Sequence, residues 1–253
     1  MALKALIFDV DGTLANTERD GHLLAFNLAF KELNLDWHWN NELYHKLLDI
    51  AGGKLRIKHY IKNYHSDFEC DNIDIFAKNT HALKTKIYVD LVGAGKIPLR
   101  TGVARLLDEA RTAGLRLAIA TTTTEANVTA LIANTLGRDA LDWFEVIGAG
   151  DCVAKLKPAG DIYTYVLQKM QLNSFECLAF EDSNNGIKSA TEAGIKCVIS
   201  VNEYTNSHNF DGAIVVLNNL GEPNQPFTLI AGADCQPNYV NVDYLKRLYA
   251  KYC

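Results

Sequence analysis

Three short apolar segments of this chain each end abruptly in a cluster of polar residues. The segments and the clusters that follow them are, in chain order, residues 3–8 with 9–12, residues 115–120 with 121–124, and residues 177–180 with 181–183. Short apolar runs that stop at polar or glycine-containing turns are typical of buried β-strands. The pattern therefore predicts three strands whose carboxyl ends carry acidic or threonine-rich clusters.

Helical periodicity fills the chain around these strands. Residues 102–113 precede the second strand and end at Gly114, while residues 125–136 and 184–193 follow the second and third strands. Strands that alternate with helices predict an α/β fold, in which a doubly wound parallel sheet is covered by helices on both faces. Because ligands bind such sheets at the carboxyl ends of the strands, we expect the three polar clusters on one edge.

Residues 17–91 differ from the rest because they show helical periodicity without a convincing strand. We interpret them as an inserted, small all-helical cap domain, and residues 1–16 with 92–253 as the catalytic core. Gly52-Gly53 is the clearest break between two helices of the insert. The tail from residue 202 onward looks loop-rich and ends in a short helix over 242–251.

Composition and charge mainly exclude classes of binding partner. A net charge of -5, without clustered Lys and Arg, argues against nucleic acid as a partner. No apolar run approaches the ~18 residues of a membrane span, so no membrane partner is expected. The six cysteines, Cys235 among them, form no Cys-x-x-Cys pair, which favours reduced cysteines and a cytoplasmic location. We also expect a monomer or a weak dimer.

Two aspartates lie directly after the first predicted strand, in the run Asp9-Val10-Asp11-Gly12-Thr13-Leu14. An isolated Asp-x-Asp is more often a turn or a helix cap. Here the pair follows an apolar run and shares its edge with two other polar clusters, which favours chemistry. A carboxylate can attack phosphorus to form an aspartyl phosphate, and a second acid can protonate the leaving alcohol. Asp9 is the predicted nucleophile and Asp11 the predicted general acid, later the base.

Several anions would meet at this edge, so a hard cation is needed to hold the nucleophile and a phosphate together. Mg2+ with oxygen ligands fits that requirement. Asp182 is the best candidate for the second carboxylate ligand, and Glu181 could help directly or through water. The same Glu-Asp-Ser sequence also reads as a helix N-cap.

The transferred phosphoryl group also needs hydrogen-bond donors and positive charge. Thr121, at the end of the second strand, can donate its hydroxyl. Lys157 precedes Pro158 between the second and third clusters, and the proline stiffens the chain that follows. A lone lysine is normally a solvated surface charge, so only this position makes Lys157 a candidate.

Four groups of residues, in this order, resemble the signature motifs of the haloacid dehalogenase-like hydrolases. They are the run from Asp9 to Leu14, Thr121, Lys157-Pro158, and the run from Glu181 to Gly186. The helical insert lies between the first and second motifs, where that family carries its small cap. The resemblance implies a Rossmann-like core, an aspartyl-phosphate intermediate, and Mg2+ bound by Asp9, the carbonyl of Asp11 and Asp182.

Within this family the chain is similar to the CbbY-like sugar-phosphate phosphatases, through the residues around Glu18 and His22 and the loop Gly52-Gly53-Lys54-Leu55-Arg56. A member of known activity removes one phosphate from xylulose 1,5-bisphosphate. The resemblance implies a small phosphorylated sugar as substrate, with Glu18 and His22 beside the sugar and Lys54, Arg56 and Lys84 at the distal phosphate. The full predicted substrate-binding set is Glu18, His22, Gly53, Lys54, Arg56, Lys84 and Thr123.

Three alternatives remain at this stage. A phosphomutase of the β-phosphoglucomutase type would use the same catalytic residues and return the phosphate to a sugar. A catalytically inactive binding protein would keep the fold without turnover, although every expected acid and base is present. The basic residues of the insert could also be ordinary solvated charges, which is the common role of lysine and arginine on helices.

Overall fold

A seven-stranded sheet forms the centre of the molecule. The computed structural model describes residues 2–50, 52–232 and 238–253. The strand order is β3-β2-β1-β4-β5-β6-β7; the first six strands are parallel, and β7 is antiparallel to β6. The strands are β1 (Ala5–Phe8), β2 (Arg116–Ala120), β3 (Phe144–Gly148), β4 (Cys177–Glu181), β5 (Lys196–Ser200), β6 (Val215–Leu217) and β7 (Leu229–Gly232).

The central strand β1 aligns the ends of its two neighbours. Phe8 pairs with Ile119 of β2 and with Phe180 of β4, and the rings of Phe8 and Phe180 stack at 4.5 Å. All four residues of β1 are buried, as expected for a strand covered on both faces. The residues that follow these three strands therefore begin at the same level, so the predicted meeting of the polar clusters at one edge is confirmed.

Helices cover both faces of the sheet, because successive side chains of a strand point to opposite sides. Leu6 and Phe8 face a core shared with α5, α6 and α9, whereas Ala5 and Ile7 face a core shared with α7 and α8. The predicted doubly wound α/β fold is confirmed. These helices are α5 (Val103–Thr112), α6 (Glu125–Thr135), α7 (Asp161–Met170), α8 (Asn184–Glu192) and α9 (Val242–Tyr252).

Among the described residues between Glu18 and Gly93, within the part of the chain that connects β1 to β2, the regular elements are all helical. A π-helical segment, Glu18–Leu23, precedes α1 (Leu24–Glu32), α2 (Asn41–Leu48), α3 (Gly53–Tyr64) and α4 (Ile73–Gly93). These helices enclose an aromatic core of their own, formed by Phe26, Phe30, Trp37, Trp39, Tyr44 and Tyr60. The cap boundaries 17–91 stay a prediction, and α4 itself continues to Gly93.

The sequence patterns miss four strands and one helix. Strands β3 and β5, together with helix α7, were not predicted, and the tail expected to be loop-rich contributes β6 and β7. In β3 the apolar pattern is interrupted by Glu145, which pairs with Arg116 of the neighbouring strand. The tail strands are only three and four residues long, so their apolar runs are too short to identify alone. The break at Gly52 is confirmed, since Gly52 has a φ of 87° just before α3.

The structure also bears on the state of the cysteines and on whether any helix could cross a membrane. Among the described residues, five cysteines are free, with Cys177 and Cys197 buried; Cys235 lies outside the described residues. No helix in the described ranges combines the length and the hydropathy that crossing a membrane requires.

Candidate active site

The loop after β1 carries Asp9 and Asp11 and is closed by a sharp turn. The amide of Asp9 still donates to Phe180 O, so the loop begins as a continuation of the sheet. Gly12 then adopts a φ of 87°, a conformation that favours glycine. A Cβ at this position would also overlap the side chains of Asp182 and Asn202. Glycine thus allows the loop after β1 to lie directly against Asp182.

Lys157 lies between two buried carboxylates. Its Nζ is 2.7 Å from Asp9 Oδ1 and 2.5 Å from Glu181 Oε1, and the Tyr163 hydroxyl donates to the same Glu181 oxygen at 2.7 Å. Burial favours the neutral amine, but the charges of Asp9 and Glu181 outweigh it and raise the pKa of Lys157. The predicted cation is therefore fixed beside the predicted nucleophile.

Asp182 completes a group of three acidic residues. Ligand atoms of Asp9, Glu181 and Asp182 all lie within 4.8 Å of one another, and all three residues are buried. Asn202 donates to Asp182 Oδ2 at 2.6 Å. Ser183, the next residue, caps helix α8 by accepting from Gly186 N, so the helix cap is Ser183 and the adjacent Asp182 stays the predicted ligand.

The charges of this acidic group are not balanced. Burial raises the pKa of Asp9 to about 7; Lys157 acts against this rise, while Glu181 and Asp11 add to it. Burial, together with Asp9 and Glu181, also raises the pKa of Asp182 well above its ordinary value. A bound divalent cation with a preference for oxygen would offset the excess charge of three carboxylates beside one ammonium. The residues therefore fit Mg2+.

Asp11 belongs to a separate hydrogen-bonded chain that links the core to the helical insert. Thr17 Oγ1 donates to Asp11 Oδ1 at 2.5 Å, and His22 Nε2 lies 3.0 Å from the same oxygen. Lys84 Nζ lies 2.7 Å from His22 Nδ1. Although burial acts in the opposite direction, His22, Thr17 and Lys84 lower the pKa of Asp11. In this arrangement Asp11 is ionised.

The basic residues of the insert are not a uniformly solvated set. Arg56 is 7% exposed and donates to Leu47 O and to the Tyr44 hydroxyl, both at 3.0 Å, while the same hydroxyl donates to Glu18. Lys84 is 3% exposed. Lys54 is exposed and lies 3.6 Å from Asp151. The solvated interpretation is therefore wrong for two of the three, because their side chains have buried polar partners.

Two adjoining cavities open at the junction of sheet and insert. The first, of about 290 Å³, is lined by the predicted substrate-binding residues Glu18, His22, Gly53, Lys54, Arg56, Lys84 and Thr123. The second, of about 300 Å³, is lined by four of the six predicted catalytic and metal-binding residues, Asp9, Asp11, Lys157 and Asp182, whereas Thr121 and Glu181 do not line it. Both cavities share Asp11, Glu18, Gly52, Arg56 and Thr122, so the two predicted residue sets meet at one place.

The threonines that follow β2 have different surroundings. Thr121 is buried, and its hydroxyl accepts from Thr123 N at 3.3 Å. Thr123 accepts from Asn127 Nδ2 at 2.8 Å and lines the first cavity. Thr122, which the sequence did not single out, lines both cavities.

Four further residues that support the site were not predicted. Asn202 lies two residues after the end of β5, so recognising the apolar run of that strand would have pointed to it. Thr17, Tyr44 and Tyr163 give no such signal, because each contributes only a hydroxyl group, which donates to Asp11, Glu18 or Glu181 respectively. The positions of Thr17, Tyr44 and Tyr163 depend on tertiary packing alone.

Comparison with known proteins agrees with this geometry. A family model described as haloacid dehalogenase-like hydrolase matches residues 3–194. The chain therefore belongs to the haloacid dehalogenase-like hydrolases, and its predicted enzyme class, a phosphatase, is confirmed. Within that family it groups with the CbbY proteins: Protein CbbY, plasmid, from Cupriavidus necator is 48% identical over 228 residues, which are 88% of each chain.

Solved structures give the same grouping. The crystal structure of CbbY from Rhodobacter sphaeroides in complex with phosphate has a TM-score of 0.80 and 41% sequence identity, covering 86% of this chain and 94% of that chain. A mutant of that protein in complex with xylulose 1,5-bisphosphate has a TM-score of 0.80 at 40% identity, with the same coverage. The predicted resemblance to CbbY-like proteins is confirmed.

Proposed function

We propose that this protein is a Mg2+-dependent phosphatase that removes one phosphate from a sugar bisphosphate by way of an aspartyl phosphate on Asp9. Xylulose 1,5-bisphosphate is the favoured substrate. The proposal rests mainly on one observation: two cavities adjoin each other, and Asp9 and Lys157 line one of them while Arg56 and Lys84 line the other. A cavity with cations at both ends suits a molecule with a phosphate at each end.

In the first step a carboxylate oxygen of Asp9 attacks phosphorus, and the bond from phosphorus to the sugar oxygen breaks. Lys157, at 2.7 Å, favours the ionised form of Asp9 that this attack requires. The departing sugar oxygen takes a proton from Asp11. Because Asp11 is ionised without substrate, that proton arrives with the bound ester, whose negative charge raises the proton affinity of a nearby carboxyl.

In the second step Asp11 takes a proton from water, and the water oxygen attacks phosphorus. The bond between phosphorus and Asp9 breaks, which releases inorganic phosphate and regenerates the carboxylate. Asp9, Asp182 and the main-chain carbonyl of Asp11 would hold Mg2+, with Glu181 as a ligand directly or through water. The ion would supply positive charge for the phosphate oxygens.

The distal phosphate would lie against the basic residues of the first cavity. Lys84 and Arg56 are buried there, while Lys54 is at its exposed margin. Glu18, held by the Tyr44 hydroxyl, and His22, held by Lys84, would contact the sugar between the two phosphates. The complex of the Rhodobacter sphaeroides protein with xylulose 1,5-bisphosphate supports this substrate class.

Replacement of Arg56 by Ala is expected to raise KM for bisphosphates more than KM for monophosphates. A hydrogen bond to a charged group contributes about 1.5–3 kcal/mol, so KM for the bisphosphate should rise by about tenfold to a hundredfold. Steady-state phosphate release measures both constants. Lys62→Ala, which removes an exposed positive charge from the same helix, serves as the control. Equal loss on both substrate types would reject the distal-phosphate role of Arg56.

The catalytic efficiency on bisphosphates is expected to fall as the pH rises through about 8. Burial lowers the pKa of Lys84 to about 8, against the opposing charges of Glu18 and Asp11. The ammonium is present below that pH and lost above it, so kcat/KM, which reports the free enzyme, should decline towards that of Lys84→Met. A pH profile of the Lys84→Met variant should lack this step. An unchanged step in the variant would assign it to another group.

A phosphate-release screen tests the proposed function as a whole. Purified protein with Mg2+ is assayed on ketopentose bisphosphates and on pentose and hexose monophosphates, with the sugar products identified by NMR. The proposal requires one inorganic phosphate per bisphosphate, together with the corresponding sugar monophosphate. A rearranged sugar phosphate without phosphate release would instead identify a phosphomutase, and a clear preference for monophosphates would reject the bisphosphate assignment.

A further inference from the structure

Arg100 connects several main-chain segments behind the acidic group. It lies just before α5, where the chain returns from the helical insert, and it is partly buried. Its guanidinium donates to the carbonyl of Gly12, to Ser200 O at 2.9 Å, to Val201 O at 2.5 Å and to Asn218 O at 2.8 Å. One side chain therefore joins the loop after β1 to the ends of β5 and β6.

The Gly12 carbonyl is the point at which this connection reaches the acidic group. It accepts from Arg100 Nη1 and also from Asn202 Nδ2, at 3.4 Å. The same Asn202 nitrogen donates to Asp182 Oδ2 at 2.6 Å. Gly12 follows Asp11 directly, so Arg100 and Asn202 together fix the loop of Asp9 and Asp11 relative to Asp182.

No carboxylate among the described residues forms an ion pair with Arg100. Within the residues that the structure describes, its hydrogen-bond partners are four carbonyls and the Ser200 hydroxyl, none of them a carboxylate. Burial lowers the pKa of Arg100, and the charge of Asp182 acts in the opposite direction. A cation removed from water without a paired anion is unfavourable, so the excess negative charge of the acidic group is the natural complement of this guanidinium.

We infer that Arg100 is a positioning residue that sets the affinity of the acidic group for its divalent cation. It does so by holding the Gly12 carbonyl, and with it the spacing between Asp9 and Asp182. The inference rests on the Mg2+ site of the proposed function. Residues that orient metal ligands without binding the metal typically change metal affinity by about 10–100-fold when replaced.

Arg105 provides a matched control for a merely structural role. It also donates to two main-chain carbonyls, those of Val240 and Gly221, and it pairs with Glu222 at 2.8 Å. None of these partners belongs to the loops that carry Asp9, Asp11 or Asp182. Loss of Arg105 should therefore lower stability to a similar extent without changing the acidic group.

The test is a titration of the substrate-free protein with Mn2+, which prefers the same oxygen ligands as Mg2+, with free Mn2+ measured by EPR. The variants are Arg100→Met, Arg100→Lys and Arg105→Met, and thermal melting checks that each is folded. We expect the Kd for Mn2+ to rise by about 10–100-fold in Arg100→Met. Arg100→Lys can still donate to some of these carbonyls but cannot span all of them, so its Kd should be intermediate. Arg105→Met should bind Mn2+ like the unmodified protein.

The outcomes separate this inference from the proposed function. If the unmodified protein binds Mn2+ and a folded Arg100 variant binds it equally well, Arg100 has only a structural role and the inference is overturned. An equal loss of affinity in Arg105→Met has the same consequence. If the unmodified protein itself binds no divalent cation, the proposed metal dependence fails and the inference fails with it. Should Arg100→Met not fold, Arg100→Lys alone decides, because a Kd unchanged in that variant contradicts the positioning role.

Discussion

The Asp9→Asn variant is expected to lose at least about 10⁵-fold in kcat, a loss typical of removing a catalytic nucleophile, while the fold stays intact. The amide keeps the shape of the carboxylate but cannot form an aspartyl phosphate. Asp9 is buried among carboxylates that disfavour its ionised form, so the neutral amide should not lower the melting temperature of the metal-free protein. Steady-state phosphate release and thermal melting measure the two effects.

Asp142→Asn is the control for the Asp9 variant, since Asp142 is exposed and lines neither catalytic cavity. It should keep full activity. Activity of Asp9→Asn within tenfold of the unmodified protein would exclude Asp9 as the nucleophile. A large fall in melting temperature would instead assign Asp9 a structural role, because loss of turnover would then follow from unfolding.

Replacement of Lys157 by Met is expected to lower both stability and activity. It leaves the buried carboxylates of Asp9 and Glu181 without their ammonium partner, and breaking a buried ion pair costs about 3–5 kcal/mol. The free energy of unfolding in urea, measured without divalent cations, should fall by that amount. Added Mg2+ should restore part of it, because a ligand that binds the folded state stabilises that state.

Lys54→Met controls for loss of a lysine from the adjoining cavity. Lys54 is exposed, so its replacement should change the free energy of unfolding by no more than about 0.5 kcal/mol. Equal stabilities of Lys157→Met and the unmodified protein in metal-free urea titrations would show that Lys157 does not balance the acidic group. Phosphate release by Lys157→Met at the unmodified rate would remove it from the catalytic residues.

The sequence predicts β1, β2 and β4 because each is a buried, mainly apolar run followed directly by a polar cluster. Strand β5 is buried to a similar extent, but its apolar run of three residues is followed by Ser200 and Val201 rather than by a polar cluster. The strands of the sheet margins carry a weaker signal: β3 contains Glu145, and all four residues of β7 are exposed. Their pairing depends on neighbours that are distant in the chain, which a local pattern does not contain.

The meeting of the predicted site residues at one edge was predictable from the same strands. Asp9, Thr121 and Asp182 each follow a recognisable strand, and parallel strands bring such positions together. The burial of Arg56 and Lys84 was not predictable, because it depends on Tyr44 and His22, contacts made by helices that pack only in the folded insert. A sequence pattern gives the periodicity of those helices but not the partners of their polar side chains.

Trapping of the phosphorylated enzyme tests the role of Asp9 most directly. The protein with Mg2+ is mixed with xylulose 1,5-bisphosphate carrying ³²P, quenched in acid within milliseconds, digested, and the labelled peptide sequenced by mass spectrometry. The mechanism predicts label on Asp9 that forms and decays at rates compatible with kcat and that is absent from Asp9→Asn. Label on another residue, or full turnover with no label on Asp9, would contradict it.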